Sequence, residues 1–264
     1  IFSFAQWLVC GYVVNCPESA STVMIDLKEV GPTYYFAPPR VFEALLTSVT
    51  IRMEDASAIK KALFKHFMAL AQRVGPTIMD GNPVSPLDRW HYKLGNLLIY
   101  GPLRNTLGFS RVRVAYTAGE AIGPDLFTFY RSIGINLKQL YGSTETAVFV
   151  CLPPDNEARA DTVGVPIEGV QIKLADNGEI LVKSPGLLRE YYKNPEATAE
   201  ALRPHEDGRV WLHTGDLGRM DADGFFYFTG RLKRMIKSSG FNVYPAQVEA
   251  VLYQSPLVAE ACVV

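Results

Sequence analysis

Clustered metal ligands are missing from this 264-residue sequence. Its four cysteines, Cys10, Cys16, Cys151 and Cys262, form no Cys-x-x-Cys pair, and its four histidines, His66, His91, His205 and His213, are scattered. Such spacing suggests neither a zinc site nor a disulfide framework, and a reducing, cytosolic setting is the default. Excess charge is missing too: a net charge of −1 gives no electrostatic case for nucleic acid as a partner. No apolar run is long enough to span a bilayer. The stretch from Ile1 to Val14 is strongly apolar, but it contains Gln6 and stops short of the roughly 20 residues a membrane helix needs. It lacks the basic start of a signal peptide. It reads as a buried helix and strand, with peripheral membrane contact left open. Neither Gly-x-x-x-x-Gly-Lys-Ser/Thr nor Gly-x-Gly-x-x-Gly occurs, so the usual phosphate and dinucleotide fingerprints contribute nothing. The chain opens without Met and closes on the strand-like Ala261-Cys262-Val263-Val264, so both ends read as cut and the chain as part of a longer protein.

What is present describes a globular protein, 48% apolar and 20% charged, with length for one large domain or two smaller ones. The first half alternates helices with short apolar strands. Ser19 to Val30 reads as a helix closed by Gly31. Thr33 to Ala37 reads as a strand stopped by Pro38-Pro39, and Arg40 to Val49 as a second helix. A longer helix follows, with Leu63, Phe67, Leu70 and Val74 on one stripe and an expected end at Gly75-Pro76. Asp80 to Arg89 reads as a loop. Then Val112 to Tyr116, Pro124 to Ile133 and Asn136 to Tyr141 spell strand, helix, strand, so the two strands should be parallel. Ligands of open parallel sheets sit at the carboxyl ends of strands. Two polar, glycine-bearing segments follow those ends, Ala118-Gly119-Glu120 and Gly142-Ser143-Thr144-Glu145.

After about Asp161 the pattern turns to strands. Val170, Ile172 and Leu174 alternate, Asp176-Asn177-Gly178 turns, and Ile180 and Val182 alternate again, which is a hairpin signature. Asp221-Ala222-Asp223-Gly224 lacks the further ligands of a calcium loop and reads as a second hairpin turn before Phe225 to Phe228. Beyond Gly230 come a basic stretch, a Ser238-Ser239-Gly240 loop and a short helix from Pro245 through Leu252. Met235-Ile236 and Val258 to Val264 read as strands. This looks like the opening of a small further domain.

Three motifs bear chemistry. In Tyr141-Gly142-Ser143-Thr144-Glu145 a ring can stack on a purine and a glycine permits close backbone approach. The Thr144 hydroxyl can bond a phosphate oxygen, and Glu145 can ligate Mg²⁺. The same pentapeptide could equally be a plain strand-end turn. His213-Thr214-Gly215-Asp216 supplies a carboxylate suited to ribose hydroxyls, or simply a turn-capping Asp. Gly230-Arg231-Leu232-Lys233 with Lys237 and Ser239-Gly240 is the third, and alone it reads as a solvated basic face.

Taken in order along the chain, these motifs resemble the adenylate-forming superfamily of acyl-CoA synthetases, luciferases and peptide-synthetase adenylation domains. The matching elements are Ala118-Gly119-Glu120-Ala121, Tyr141 to Glu145, Gly164 to Gly169, Tyr191-Tyr192 with Pro195 and Thr198, Thr214-Gly215-Asp216, and Gly230 through Pro245. The resemblance implies an α/β fold: a large domain with parallel sheet layers and a β-rich subdomain, followed by the start of a small α+β C-terminal domain. Residues 1–230 would belong to the large AMP-binding domain, with 161–230 its β-rich part. Residues 231–264 would be the hinge and the beginning of the small domain.

The same resemblance implies roles. Gly119, Glu120 and Ala121 line the adenine and acyl pocket; Tyr141 packs on adenine with Gln139 nearby. Gly142 and Ser143 belong to the nucleotide-binding turn, Thr144 contacts the phosphate, and Glu145 binds Mg²⁺. Asp216 holds the ribose diol with help from Arg231. Lys233 occupies the hinge, Lys237 faces the nucleotide in one domain orientation, and Gly240 lies beside the pantetheine channel. Thr144, Glu145 and Lys233 are the residues assigned to catalysis. The implied substrates are ATP, Mg²⁺, coenzyme A and a fatty acid. A carboxylate would attack the α-phosphate, pyrophosphate would leave, and a thiol would then take the acyl group. Gly31-Pro32-Thr33 through Phe42-Glu43, the long helical stretch after it, and Tyr116 to Ala121 look like the long-chain branch. An aryl- or medium-chain ligase and a non-catalytic binding relative are the alternatives. The sequence departs from the family in four respects. A Ser/Thr/Gly-rich loop ending in Lys-Gly and a late lysine are absent, Lys233 stands where Asp is commoner, and Glu190 stands where many relatives have Gly.

Overall fold

A computed structural model describes residues 2–19, 21–234, 236–238, 241–243, 245–252, 258 and 261–263. The chain divides into two units, Ile1–Leu140 with Pro153–Asp161, and Tyr141–Leu152 with Thr162–Val264. Each builds its own apolar core.

The first unit begins with a π-helical turn, Phe2–Gln6, and one turn of helix, α1 (Trp7–Cys10). The buried helix and strand expected over Ile1 to Val14 do not form. Phe4, Leu8, Val9 and Val13 are exposed, and no strand follows Gly11. Gly11 adopts the left-handed region and halts the helix after one turn, too short to present a continuous apolar face. Helix α2 (Val23–Val30) starts later than expected, because Ser19 and Thr22 hydrogen-bond each other and Thr22 also donates to Asp26. It closes as expected on Gly31, at φ 54°, whose amide donates to Leu27 O.

Strand β1 (Tyr34–Phe36) leads into α3 (Pro39–Glu54), α4 (Ala58–Met79), α5 (Pro86–Gly95), a π-helical turn at Asn96–Tyr100, and α6 (Gly101–Thr106). Then β2 (Val114–Thr117), α7 (Pro124–Ser132) and β3 (Leu137–Gln139) form the expected crossover. The sheet order is β1-β2-β3, all parallel, with Tyr35 opposite Ala115 and Ala115 opposite Leu137. Phe67, Leu70 and Val74 of α4 are buried as their spacing predicts, while Leu63 is exposed.

Helix α4 does not stop at Gly75-Pro76; it runs on to Met79. Tertiary contact overrides the proline here. A Cβ on Gly75 would lie 2.4 Å from the Ser132 carbonyl oxygen, so only glycine allows α4 and α7 to approach this closely. Just past the helix, Asp80 pairs with the buried Arg131 of α7. The loop expected over Asp80 to Arg89 is also shorter, because Ser85 caps α5 by accepting from Asp88 N at 3.1 Å and Pro86 sits in its first turn. Lys138, buried on β3, donates to Pro153 O and pairs with Asp155 at 2.6 Å, tying the segment Pro153–Asp161 to this unit.

The second unit is β-rich. It takes in Thr162–Val264 and also Tyr141–Leu152, while Asp161 falls in the first unit. Strands β4 (Cys151–Leu152) and β5 (Val165–Pro166) pair. The expected hairpin forms from β6 (Gln171–Leu174) and β7 (Glu179–Lys183). After α8 (Pro195–Ala201) come β8 (Leu202–Pro204), β9 (Val210–Met220) and β10 (Phe226–Arg231). The antiparallel order is β10-β9-β7-β6, with β8 also on β9. The turn between β9 and β10 is made by Asp221, whose carboxylate accepts from Asp223 N and Phe225 N. A 3₁₀ turn, Leu232–Arg234, precedes β11 (Ile236–Ser238), β12 (Phe241–Val243) and α9 (Pro245–Leu252). Val258 and residues 261–263 form no strand; Met235 and the rest of that expected terminal strand lie outside the described residues.

Candidate functional site

In the first unit, the loop after β2 carries Gly119, Glu120 and Ala121. Its backbone needs φ near 96° at Gly119 and 80° at Gly123, values open to glycine at little cost. Gln139, buried on β3, accepts from Ile122 N at 3.0 Å through its side-chain oxygen. Its carboxamide therefore anchors the loop. Glu120 is exposed and faces Arg40 at 3.6 Å, a contact worth little in water. Pro38, Pro39, Arg40, Ala118, Gly119 and Glu120 line an open cleft of about 320 Å³.

In the second unit, Tyr141 bridges Cys151 and leads into a tight turn. A Cβ on Gly142 would lie 1.6 Å from Val148 O, so no other residue fits there. Ser143 N donates to Thr146 Oγ1 at 2.9 Å, and Ser143 O accepts from Val148 N at 2.8 Å. The turn is closed by Ala147 and Val148 at φ 54° and 80°. A β-branched residue in that region is strained, and such strain gathers at working sites. Thr144 stands exposed on the turn. Glu145 accepts from the Tyr191 hydroxyl at 2.9 Å. Burial pushes its carboxyl up, but bonds from its own amide, Ser143 and Tyr191 together hold it below the usual range.

Asp216 is the second carboxylate of this unit. Tyr141 donates to its Oδ2 at 2.9 Å, and Arg231 Nε lies 3.4 Å from its Oδ1. Arg231 and Asp216 are also cross-strand partners on β10 and β9. Burial raises the Asp216 carboxyl above its ordinary value, partly countered by Tyr141 and Arg231 and reinforced by the charges of Glu145 and Glu179. Tyr141, Glu145, Asp216 and Arg231 therefore form one electrostatic group. Burial, then Asp216, pushes the Tyr141 phenol far up, so it stays a donor. Cys151 is buried with its thiol pushed up to about 12, which leaves it inert.

Lys233 is exposed on the 3₁₀ turn, 3.9 Å from Glu200. The backbone of Lys237 pairs with Asn242 in β11, but its side chain lies outside the described residues, as does Gly240. Two residues that the motifs leave without a role emerge. One is Tyr191, the partner of Glu145. The other is Glu179, buried at the head of β7, which accepts from Gly215 N at 2.9 Å and His213 Nδ1 at 3.0 Å. An acidic residue heading the apolar run Ile180-Leu181-Val182 was the available signal for it. Among the described residues, no cluster of three or more His, Cys, Asp or Glu could hold a metal ion, and no helix is long and apolar enough to cross a membrane.

Comparison with known proteins places these features in context. Residues 1–192 match a family model described as AMP-binding enzyme. The chain is 36% identical over 234 residues to the long-chain-fatty-acid–CoA ligase FadD15 of Mycobacterium bovis, covering 88% of this chain and 38% of that relative. It is 34% identical to the amide bond synthetase McbA of Marinactinospora thermotolerans, with a TM-score of 0.51 over 59% of this chain and 34% of that one. The o-succinylbenzoate CoA synthetase of Bacillus subtilis shares the fold at a TM-score of 0.61 and 24% identity, over 92% of this chain and 40% of its own.

Proposed function

This chain belongs to the AMP-binding enzyme family, and from that premise we propose that the enzyme it is part of activates a long-chain fatty acid with ATP and transfers the acyl group to coenzyme A. The observation that carries the reading is the Asp216 carboxylate, held by Tyr141 and Arg231 and within reach of the Glu145 charge. On this reading Asp216 accepts from the ribose hydroxyls, with Arg231 and Tyr141 holding its two oxygens in place. Thr144, exposed on the strained turn, meets phosphate. Glu145, kept ionised by its hydrogen bonds, suits Mg²⁺, which takes only one or two carboxylates and fills its shell with phosphate oxygens and water. Bound Mg²⁺ would neutralise phosphate charge as pyrophosphate leaves.

Gly119, Glu120, Ala121 and Gln139 contribute the loop after β2, Lys233 the hinge, and Lys237 and Gly240 the segment that follows it. The long-chain preference is supported by the name of the mycobacterial relative and by the helical stretch α3–α5. Three exposed thiols, Cys10, Cys16 and Cys262, suit a reducing cytoplasm. The 264 residues alone hold no Ser/Thr/Gly-rich loop ending in Lys-Gly, and by themselves should form no thioester above background.

The test is turnover of the full-length enzyme with Mg²⁺·ATP, CoA and either palmitate, octanoate or benzoate. Palmitate should give AMP, pyrophosphate and thioester, with kcat/KM about tenfold or more above the others. A preference for benzoate or octanoate would overturn the chain-length reading and leave the adenylation reading standing. No AMP from any of the three acids would sink both.

A further inference from the structure

Strand β9 is irregular where Asp216 sits. Leu217 faces Glu179 and His213 faces Leu181, so four steps on β9 oppose two on β7 and two extra residues bulge out. Bulges re-aim side chains and leave backbone groups unpaired. Here side chains satisfy the bulge. Thr214 Oγ1 donates to Ile180 O at 2.7 Å and accepts from Asp216 N at 3.1 Å. Gly215, at φ 70°, gives its amide to Glu179 Oε1.

Glu179 is itself held. His213 Nδ1 lies 3.0 Å from its Oε2, His213 Nε2 lies 3.0 Å from His205 Nε2, and His205 Nδ1 lies 3.1 Å from Lys173 Nζ. The ammonium of Lys173 can only donate. Its bond therefore makes His205 Nδ1 an acceptor, His205 Nε2 a donor, His213 Nε2 an acceptor and His213 Nδ1 a donor to the carboxylate. All four groups then agree on a single arrangement of protons. Lys173 also lies 4.3 Å over the Trp211 ring, which fixes the outer end of the chain.

We propose that Glu179, locked by His213, His205 and Lys173, is the positioning residue for Asp216, fixing the bulge so that the Asp216 carboxylate meets the ribose diol. This rests on the nucleotide reading of Asp216 given above. Glu179 touches no nucleotide; it acts by removing the freedom of Gly215, the one residue of the bulge with no side chain to restrain it.

The test compares AMP with 2′,3′-dideoxy-AMP by titration calorimetry on the full-length enzyme. The unmodified enzyme should prefer AMP by about tenfold or more, the effect of hydrogen bonds to a charged group. Glu179→Ala should erase most of that preference by weakening AMP while leaving dideoxy-AMP unchanged. Glu179→Gln keeps an acceptor for Gly215 N but turns its amide N–H toward the His213 Nδ1 donor, so it should lose the lock and retain only part of the preference. His213→Phe frees one carboxylate oxygen while keeping the Gly215 bond and should likewise retain only part of the preference; it also serves if Glu179→Ala does not fold. Equal weakening of both ligands by a folded Glu179→Ala protein would show a merely structural role and overturn the proposal. So would an undiminished AMP preference in Glu179→Ala or, failing that protein, in His213→Phe. If the unmodified enzyme itself fails to discriminate, the diol reading of Asp216 falls first and this inference with it.

Discussion

The Tyr191 hydroxyl donates to Glu145 Oε1 at 2.9 Å, joining the loop ahead of α8 to the turn after Tyr141. This bond helps keep the Glu145 carboxyl below its usual range. A carboxyl depressed in the folded state adds stability that is present above its unfolded pKa and lost as pH falls through the folded value. Tyr191→Phe should therefore lower Tm at neutral pH, by an amount that shrinks under acid conditions. If Glu145 meets the Mg²⁺ that arrives with ATP, as proposed, KM for Mg²⁺·ATP should rise about two- to fivefold while AMP affinity without Mg²⁺ stays put. Equal loss of AMP and Mg²⁺·ATP binding would remove Glu145 from the metal.

Asp216 presents the opposite sign. Burial raises its carboxyl despite Tyr141 and Arg231, so its ionisation opposes folding as pH rises through the folded pKa. Asp216→Asn should raise Tm at neutral pH, with the gain vanishing below the ordinary Asp range of about 4. The same variant should bind AMP on the order of tenfold more weakly, since a charge-assisted bond is replaced by a neutral one. A neutral-pH Tm that falls in Asp216→Asn would mean the Tyr141 and Arg231 contacts outweigh the cost of burial.

The pattern of the sequence foretold the β2–α7–β3 crossover and the β6–β7 hairpin, because each is local: periodicity, a glycine or an Asp-Asn-Gly turn is enough. It also singled out Glu145, in the turn after β3, and Asp216, which it set at a strand end but which lies on the bulge inside β9. What it missed depends on distant partners. Helix α4 passes through Pro76 because Gly75 lets Ser132 come close, and Ser132 is 57 residues further on. The lock on Glu179 joins four residues from β6, β7, β8–β9 and β9, whose adjacency exists only after the sheet has formed. Apolar Ile1 to Val14 misled because hydrophobicity alone does not say what surface a segment will meet.

The turn at Gly142 should tolerate change in one direction only. Gly142→Ala puts a methyl group 1.6 Å from Val148 O and must break the turn. We expect a stability loss of about 2 kcal/mol or more and loss of ATP-dependent turnover. Val148→Gly should do the reverse. The valine is held at φ 80°, where a β-branched residue costs about 1–2 kcal/mol, offset in part by the about 0.5–1 kcal/mol entropy cost of glycine. Thermal melts should place Val148→Gly at or above the unmodified protein. A clear drop would show that the valine side chain contributes more through packing than its backbone strain removes.

Lys233 offers the sharpest test of the hinge. Its side chain is exposed and lies 3.9 Å from Glu200, a contact worth little in water, whereas its backbone sits on the 3₁₀ turn between β10 and β11. Proline fixes φ near −65° and removes a donor. In the full-length enzyme Lys233→Pro should hold one orientation of the segment that follows. By the family resemblance that orientation is the adenylating one. Pyrophosphate exchange should then survive at least in part, while transfer to CoA falls about tenfold further. Lys233→Ala removes the charge and leaves φ free, so it separates side chain from backbone. If both variants lose both half-reactions equally, Lys233 is a nucleotide contact and the hinge reading fails. If only the proline variant loses thioester formation selectively, rotation of the backbone at this position is what the second half-reaction requires.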